Sequence, residues 1–204
     1  HATQMASGEY IKLLCQDDLL YPRAVELQVE DLIANPNATL AVAQRDIISA
    51  SGKVLTRRRG LGGVSQGLHT AGDILDSVYY GGTNTLGEPH AILFRRETLL
   101  AAMPWHSQRD YSLDLDTYTS VLEEPGVNVY VRKESIGAFR VSTSSWSTRL
   151  VSSQIEHMGA WQHEYATKTH ARISKRIRAR VALYRQHLLR LVTYSWLSFK
   201  RDMG

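Results

Sequence analysis

The sequence predicts an α/β fold in which a mixed, mostly parallel sheet is flanked by helices. Apolar strand-like segments alternate with amphipathic helical segments through most of the 204 residues, a pattern typical of a parallel sheet covered by helices. The first of these strands ends in two adjacent acids, Asp17 and Asp18. The pattern becomes helical alone near the C-terminal end. We therefore predict a domain over residues 1–145 and a helical appendage over residues 146–204.

Local signals predict the individual elements. The opening residues suit the end of a helix, and the apolar run after Gly8 suits a strand. Segment 22–35 starts with Pro22 and stops before Asn35-Pro36, which predicts a helix. The glycine-rich, basic segment 56–67 lacks periodicity and predicts a surface loop. The remaining segments predict strands at 39–49, 90–96, 127–132 and 135–141, a hairpin return at 53–55, and helices at 71–82, 96–103 and 113–126.

The net charge of +4 conceals an uneven distribution. Ten of the 24 basic residues, and none of the 20 acidic ones, lie between Lys168 and Arg201. Such segregation indicates a surface for anionic lipid, nucleic acid or an acidic partner. The single cysteine, Cys15, excludes an internal disulfide and suits a reducing cytoplasm. No apolar run approaches the length of a membrane span.

The basic tail also carries an apolar stripe with helical spacing. Its members are Ile173, Ile177, Val181, Tyr184, Leu188 and Leu191. Such an amphipathic helix suits the surface of an anionic membrane. It equally suits packing against the preceding domain or against a second subunit.

Asp17 and Asp18 are the strongest local indication of a site. In an open α/β sheet, ligands bind beyond the carboxyl ends of the strands. Adjacent negative charges repel unless a positive charge offsets them, and a divalent cation is the natural candidate. The alternative is a pair of solvated loop acids, and the residues alone favour neither interpretation.

Several segments follow one another in a recognisable order. They are GEYIKLLCQDDLLYP, a helix ending in Asn-Pro, VAQRDIISASGKVL, GEPHAILFRR, YSLDLDTYTSVL and IGAFRVSTSSWS. This order, over roughly residues 1–150, resembles bacterial glycosyltransferases of family 2, which have the GT-A fold. It is more specific than any single motif. The resemblance implies an inverting enzyme that transfers a sugar from a nucleotide-diphosphate donor to an acceptor hydroxyl, with a metal held by an Asp-x-Asp signature.

The resemblance implies roles for individual residues. Asp17 would bind Mg²⁺ or Mn²⁺, with the donor diphosphate and water completing the coordination shell. Asp114 would be the base that takes the proton of the acceptor hydroxyl. Asp18, Arg57 and Arg58 would bind the donor or its diphosphate. The arginines equally suit a solvated charge run in a loop.

The chain departs from the family pattern at two positions. Cys15 stands where the family has Asp, and Leu113 where it commonly has Glu. Spacing alone favours Asp114 as a helix cap. Residues two apart on a helix point about 200° apart, so Asp114 and Asp116 cannot both face the site. In the family, a segment that binds the nucleobase and ribose precedes the metal motif, and we expect this chain to lack it.

Three further residues are candidates for acceptor binding. Glu88 and His90 lie at the start of the strand predicted at 90–96, from which side chains can meet an acceptor or a diphosphate. A structural role for His90 is at least an equal alternative. Trp146 suits stacking on a sugar ring, although tryptophans more often pack in partly buried positions.

We therefore predict a hexosyltransferase-like enzyme of bacterial surface polysaccharide synthesis. It would act on a saccharide or lipid-linked acceptor, in the cytoplasm or at the inner face of the plasma membrane. The alternative is a non-catalytic GT-A remnant that binds a saccharide or a protein partner. No nucleic-acid motif accompanies the basic tail, so we expect no nucleic-acid partner. The sequence leaves the oligomeric state open.

Overall fold

The computed structural model describes residues 2–104, 112–142 and 151–202, and these form an α/β fold on one mixed sheet. The strands are β1 (Tyr10–Ile11), β2 (Leu19–Leu20), β3 (Leu40–Ser49), β4 (Val54–Arg59), β5 (Gly67–Thr70), β6 (Ile92–Arg95) and β7 (Asn128–Val141). The α-helices are α1 (Ala2–Met5), α2 (Ala24–Ala34), α3 (Ala71–Gly81), α4 (Arg96–Ala101), α5 (Leu113–Leu122), α6 (Val151–Lys168) and α7 (Ile173–Asp202).

Strands β3 and β7 form the centre of the sheet. Its order is β1-β6-β3-β7-β2, with β4 paired to β3 and β5 paired to β7. β3 and β7 are parallel, whereas the other five pairings between described strands are antiparallel. The prediction of a mostly parallel sheet was therefore wrong. Alternating strands and helices show that helices cover a sheet, but they do not fix the direction in which each short strand joins it.

Connection length explains the direction of individual pairs. A parallel pair needs a long crossover, whereas a tight turn returns the chain antiparallel. The chain leaves β3, turns near Ser51 and Gly52, and pairs β4 back onto β3. The parallel strands β3 and β7 are instead separated by α3, α4 and α5.

Helices pack against both faces of the sheet. Alternate residues of a strand point to opposite faces. Leu40 and Val42 of β3 belong to a large cluster that also includes residues of α3 and α5. Between them, Ala41 packs with Leu32 of α2 on the other face. Burial on both faces explains why β3 begins as a continuous apolar run.

The C-terminal helices contribute to the larger of these clusters. Met158 and Trp161 of α6, and Ala179 and Leu183 of α7, are buried in it. The side-chain amide of Gln162 donates to the carbonyls of Tyr79 and Ala179, at 2.9 and 3.0 Å. The segment predicted as an appendage therefore shares its core with the sheet domain.

Helix α3 has clear stop and start signals. Thr70 is its N-cap, and Thr70 and Asp73 form a reciprocal capping box. Gly82 ends the helix with a φ of 64°, a conformation that favours glycine. Helix α7 passes directly over this end, because a Cβ on residue 82 would lie 2.4 Å from the backbone nitrogen of Leu183.

The structure also changes the length of three predicted elements. The start of the basic segment 56–67 belongs to β4, where Thr56 pairs with Ile47. The first strand is limited to β1, so the two acids follow a loop. The strands predicted at 127–132 and 135–141 form the single strand β7, with an irregular register opposite Gln44. The predicted helices at 22–35, 71–82, 96–103 and 113–126 are confirmed, with shorter ends.

Candidate functional site

Four acidic side chains lie close enough to Cys15, at one end of the sheet, for their charges to act on its thiol. Partial burial, followed by the negative charges of Asp18, Asp114, Asp17 and Glu88, raises the pKa of the Cys15 thiol to about 11. These residues come from three places: the turn before β2, the residue before the turn Pro89–Ala91, and the first turn of α5. We call Asp18, Glu88 and Asp114 the acidic cluster.

Asp114 is half-buried within this cluster. Burial, and then the negative charges of Glu88 and Asp18, raise the pKa of its carboxyl group from 3.8 to about 6. The N-cap of α5 is Ser112, whose side chain makes no capping hydrogen bond. Asp114 is thus one residue inside the helix and is not its cap. The structure brings Asp114 together with Asp18 and Glu88.

Asp116 lies on a different side of α5. It is buried, and its carboxylate accepts a 3.4 Å hydrogen bond from the hydroxyl of Ser112. It lines a small cavity of about 180 Å³ together with Trp161 of α6 and Lys168. The two acids of this helix therefore have separate surroundings, as their spacing predicts.

Asp18 is fixed inside the protein. Its Oδ2 lies 2.9 Å from Nδ1 of His90, and both side chains are almost completely buried. Its Oδ1 accepts a 3.4 Å hydrogen bond from the backbone N–H of Arg140. On the other side of the ring, a Cβ on Gly137 would lie 2.9 Å from Cδ2 of His90. Neighbouring backbone and side chains thus determine the position of this acid–histidine pair.

Asp17 has a different environment from Asp18. It is exposed in the turn before β2, and its backbone carbonyl accepts a 3.2 Å hydrogen bond from Nε of Arg140. No described residue engages its carboxylate. It lies close enough to Cys15 for its charge to contribute to the raised thiol pKa.

Glu88 forms a bidentate ion pair with Arg45 of β3. Nε and Nη2 of Arg45 donate to its two carboxylate oxygens, and both side chains are largely buried. Two glycines with positive φ make room for the guanidinium group, because a Cβ on Gly60 or on Gly87 would collide with it. The pair closes one side of the acidic cluster.

Sequence reasoning missed Arg45 and Tyr118. The hydroxyl of Tyr118 is buried and has no hydrogen-bond partner among the described residues. Burial, and then the charges of Asp114, Glu88 and Cys15, raise its pKa well above 10. Arg45 had a visible signal, since three polar residues in a row interrupt an otherwise apolar strand. Tyr118 had none, because it resembles any core tyrosine of α5.

A buried amine supports the segment that carries Glu88 and His90. Nζ of Lys12 donates to the carbonyls of His90 and Ile92, at 2.6 and 3.2 Å. Burial lowers the pKa of this amine to about 7. Lys12 thereby ties the start of β6 to the strand that leads into the acidic turn.

The two predicted donor-binding arginines lie apart from the acidic cluster. Arg57 is exposed, and its Nη1 lies 3.5 Å from Oδ2 of the buried Asp46. The backbone N–H of Arg58 donates to Oδ1 of Asp46 at 3.0 Å, and its side chain lines a separate large cavity. Trp146 lies outside the described residues.

The acidic side chains can be compared with what a divalent cation needs. Within the described residues, no three His, Cys, Asp or Glu side chains form a metal-binding group. Mg²⁺ bound together with a nucleotide diphosphate needs only one or two carboxylates, because phosphate and water oxygens complete its shell. Both oxygens of Asp18 accept hydrogen bonds, whereas the exposed Asp17 is available. Asp17 is therefore the residue that fits such an ion.

The geometry includes a carboxyl group that suits proton abstraction. A half-buried carboxyl group with a pKa of about 6 is a suitable base near neutral pH. An exposed second carboxylate lies at the same end of the sheet. In comparisons with known proteins, no family model and no curated relative matches the chain.

Proposed function

We propose that the chain is the catalytic part of a GT-A glycosyltransferase that transfers a sugar, with inversion, from a nucleotide-diphosphate donor to an acceptor hydroxyl. The convergence of Asp114 with Asp18 and Glu88 at one end of the sheet carries this proposal. These acids are far apart in sequence, and only the fold brings them together. The order of motifs that resembles family 2 supports the same conclusion.

In this proposal, Asp114 removes the proton of the acceptor hydroxyl. The acceptor oxygen then forms a bond to the anomeric carbon as the bond from that carbon to the donor phosphate breaks, and the nucleoside diphosphate leaves. A Mg²⁺ or Mn²⁺ ion at Asp17 would supply positive charge to the departing diphosphate when it is bound. Displacement by an activated hydroxyl from the face opposite the leaving group gives inversion.

The surrounding residues hold this base in place. His90 is fully buried and engaged by Asp18, so we assign it a positioning role. Arg45 pairs with Glu88 and so offsets part of the negative charge that Glu88 places near Asp114. Acceptor contacts by Glu88 and Trp146, and donor contacts by Asp18, Arg57 and Arg58, remain predictions.

Binding of Mn²⁺ and donor tests the proposal directly. Calorimetric titration of the longest natural form of the protein with UDP-glucose, UDP-N-acetylglucosamine and GDP-mannose, each with MnCl₂, is expected to give cation-dependent heat with at least one donor. Asp17→Asn is expected to weaken this binding by about tenfold or more, because it removes the charge that attracts the ion. Glu97→Gln is the matched control, since Glu97 is an exposed acid of α4 outside the acidic cluster.

The opposite results would favour the non-catalytic remnant. Two results would contradict the proposed donor site. One is the absence of binding heat with all three donors. The other is binding heat that neither Asp17→Asn nor Glu97→Gln changes. Saccharide binding without a cation dependence would point to a binding module.

We also propose that α7 lies on an anionic membrane surface. The large apolar residues of its stripe are exposed, whereas its packed face uses the small Ala179 and Ala182 together with Leu183. The exposed residues are Ile173, Ile177, Val181, Tyr184, Leu188, Leu189, Leu191 and Val192. Basic residues lie beside this stripe, and no acid occurs between Lys168 and Arg201. No described helix is long and apolar enough to cross a membrane.

Vesicle co-sedimentation tests this surface. The chain is expected to bind phosphatidylcholine vesicles that contain phosphatidylglycerol more tightly than phosphatidylcholine alone, and added salt is expected to weaken the binding. Ile177→Glu with Leu188→Glu is expected to reduce binding about tenfold or more, since both changes place charge in the apolar stripe. Val25→Glu with Ile33→Glu on α2 is the control, because those residues are exposed elsewhere. Equal losses in both pairs, or no preference for anionic lipid, would contradict the proposal.

A further inference from the structure

A large basic cavity lies between the end of β4, helix α3 and helix α7. Its volume is about 850 Å³. We call it the arginine cavity, because five arginines line it: Arg45, Arg58, Arg59, Arg178 and Arg185. They come from β3, β4 and α7, so the folded chain gathers charges that are far apart in sequence.

The two acids in the cavity wall are already engaged by other groups. Asp73 accepts hydrogen bonds from the backbone and hydroxyl of Thr70, at 3.1 and 2.7 Å. Asp76 accepts a 2.9 Å hydrogen bond from the hydroxyl of Tyr165. Arg45 is paired with Glu88, so the other four arginines against two acids leave an excess of two positive charges at the wall.

Four of the arginines have no ionic partner among the described side chains. Among the residues that the structure describes, no carboxylate lies within 4.0 Å of the guanidinium nitrogens of Arg58, Arg59, Arg178 or Arg185. Desolvation, and then the positive charges of Arg45 and Arg190, lower the pKa of Arg59. Concentrated positive charge without a partner attracts an anion.

The shape of the wall is also suited to a bulky anion. Gly62 and Gly63 face the cavity, and a Cβ on either would meet nothing within 4 Å. The guanidinium of Arg178 lies 5.1 Å from the ring centre of Tyr80, which holds the arginine at the wall. Guanidinium groups bind phosphate oxygens in a bidentate manner, and several of them together suit more than one phosphate.

We propose that the arginine cavity binds the diphosphate group of a ligand without a metal ion. A diphosphate carries about two to three negative charges near neutral pH, enough to offset the excess positive charge at the wall. Arg45 lies between the two sites, since it pairs with Glu88 of the acidic cluster and also lines the cavity. The acidic cluster repels a phosphate unless a cation is present, whereas the arginine cavity attracts it directly. The proposal does not depend on sugar transfer.

Calorimetry with inorganic pyrophosphate in excess EDTA tests this site. Pyrophosphate is expected to bind the wild-type chain, and Arg178→Gln with Arg185→Gln is expected to weaken binding at least about tenfold. Arg172→Gln with Lys175→Gln is the matched control, because it removes the same charge from exposed positions outside the cavity. Arg58→Gln changes the opposite wall and is expected to act in the same direction. Circular dichroism of each variant checks that it remains folded.

Two further ligands identify where the diphosphate comes from. UDP and farnesyl diphosphate are titrated under the same conditions. Tighter binding of UDP than of pyrophosphate identifies a nucleotide source, and tighter binding of farnesyl diphosphate identifies a lipid source. Either outcome supports the proposal. Three results would overturn the proposal: pyrophosphate does not bind, its binding needs a divalent cation, or the control pair of substitutions weakens binding as much as Arg178→Gln with Arg185→Gln does. Because no sugar and no cation are present, a failure of the transferase proposal does not affect these results.

Discussion

Asp114→Asn is expected to abolish sugar transfer while leaving the protein folded. The amide keeps the size of the side chain but cannot accept the proton of the acceptor hydroxyl. General-base catalysis contributes roughly 10² to 10⁴-fold to a rate, and we expect kcat to fall by that factor. Turnover of a radiolabelled nucleotide sugar by the longest natural form of the protein measures the loss. Wild-type turnover in this variant would exclude Asp114 as the base.

The same substitution is expected to stabilise the fold at neutral pH. Folding raises the pKa of Asp114 from 3.8 to about 6. A raised carboxyl pKa means that the folded state prefers the protonated form, so the stability of the wild-type protein falls as the pH rises from about 4 to about 6 and stays at the lower level above that. Asparagine does not ionise, and we expect a gain of about 1 to 2 kcal/mol in the free energy of unfolding at pH 8, which vanishes near pH 4. Urea unfolding at the two pH values measures it.

Asp116→Asn separates this effect from a general effect on α5. The same chemical change, two residues along the helix, lies beside the small cavity with Trp161 rather than in the acidic cluster. We expect this variant to retain transfer. If both variants lost activity equally, the helix and not the base would explain the loss. The stability of each variant relative to wild type is also compared at low and high pH. If neither variant gains stability relative to wild type as the pH rises, the electrostatic account of Asp114 would be wrong.

The sequence predicted the helices better than the sheet. Periodicity of apolar residues identifies one face of a helix, as in α3, and caps such as Thr70 and Gly82 mark its ends. Strand pairing depends on distant partners. β1 and β2 have only two residues each, and their positions are set by β6 and β7 rather than by their own sequences. Local pattern therefore predicted an α/β fold, but not the direction of its strands.

The candidate site shows a similar division. The acidic turn and Asp114 could be identified from motifs, because their order along the chain is distinctive. Which acid of the turn would be buried depended on His90, which is 72 residues away from Asp18. Arg45 is paired with Glu88 only because β3 lies beside the segment before β6. Contacts of this kind follow from the completed fold and could not be derived from spacing.

The packing of helix α7 also depends on the completed fold, as its apolar stripe shows. The large residues with helical spacing suited a membrane surface and a packed face equally, and the face that packs in the structure consists instead of Ala179, Ala182 and Leu183. Small side chains allow α7 to approach α3 closely, and Gly82 completes the contact. The stripe is therefore left available for another partner. A test of this interpretation is a substitution that separates the two helices.

Gly82→Ala is expected to destabilise the protein strongly because two costs coincide. A left-handed conformation costs an alanine about 1 to 2 kcal/mol. The new Cβ would also lie 2.4 to 2.7 Å from three backbone atoms of Ala182 and Leu183. Backbone cannot rotate away as a flexible side chain can, so α7 has to move, at a further cost of about 1 to 3 kcal/mol. We expect a total loss of roughly 2 to 5 kcal/mol in the free energy of unfolding.

Gly126→Ala is the matched control for the second cost. Gly126 has a φ of 77°, close to the 64° of Gly82, but a Cβ on it would meet nothing within 4 Å. Its substitution by alanine is expected to cost only the conformational part, about 1 to 2 kcal/mol. Urea unfolding of the two variants therefore measures the contact between α7 and α3 as a difference. Equal losses would mean that α7 does not rest on the end of α3, and the arginine cavity, whose wall includes residues of both helices, would then lose its structural basis.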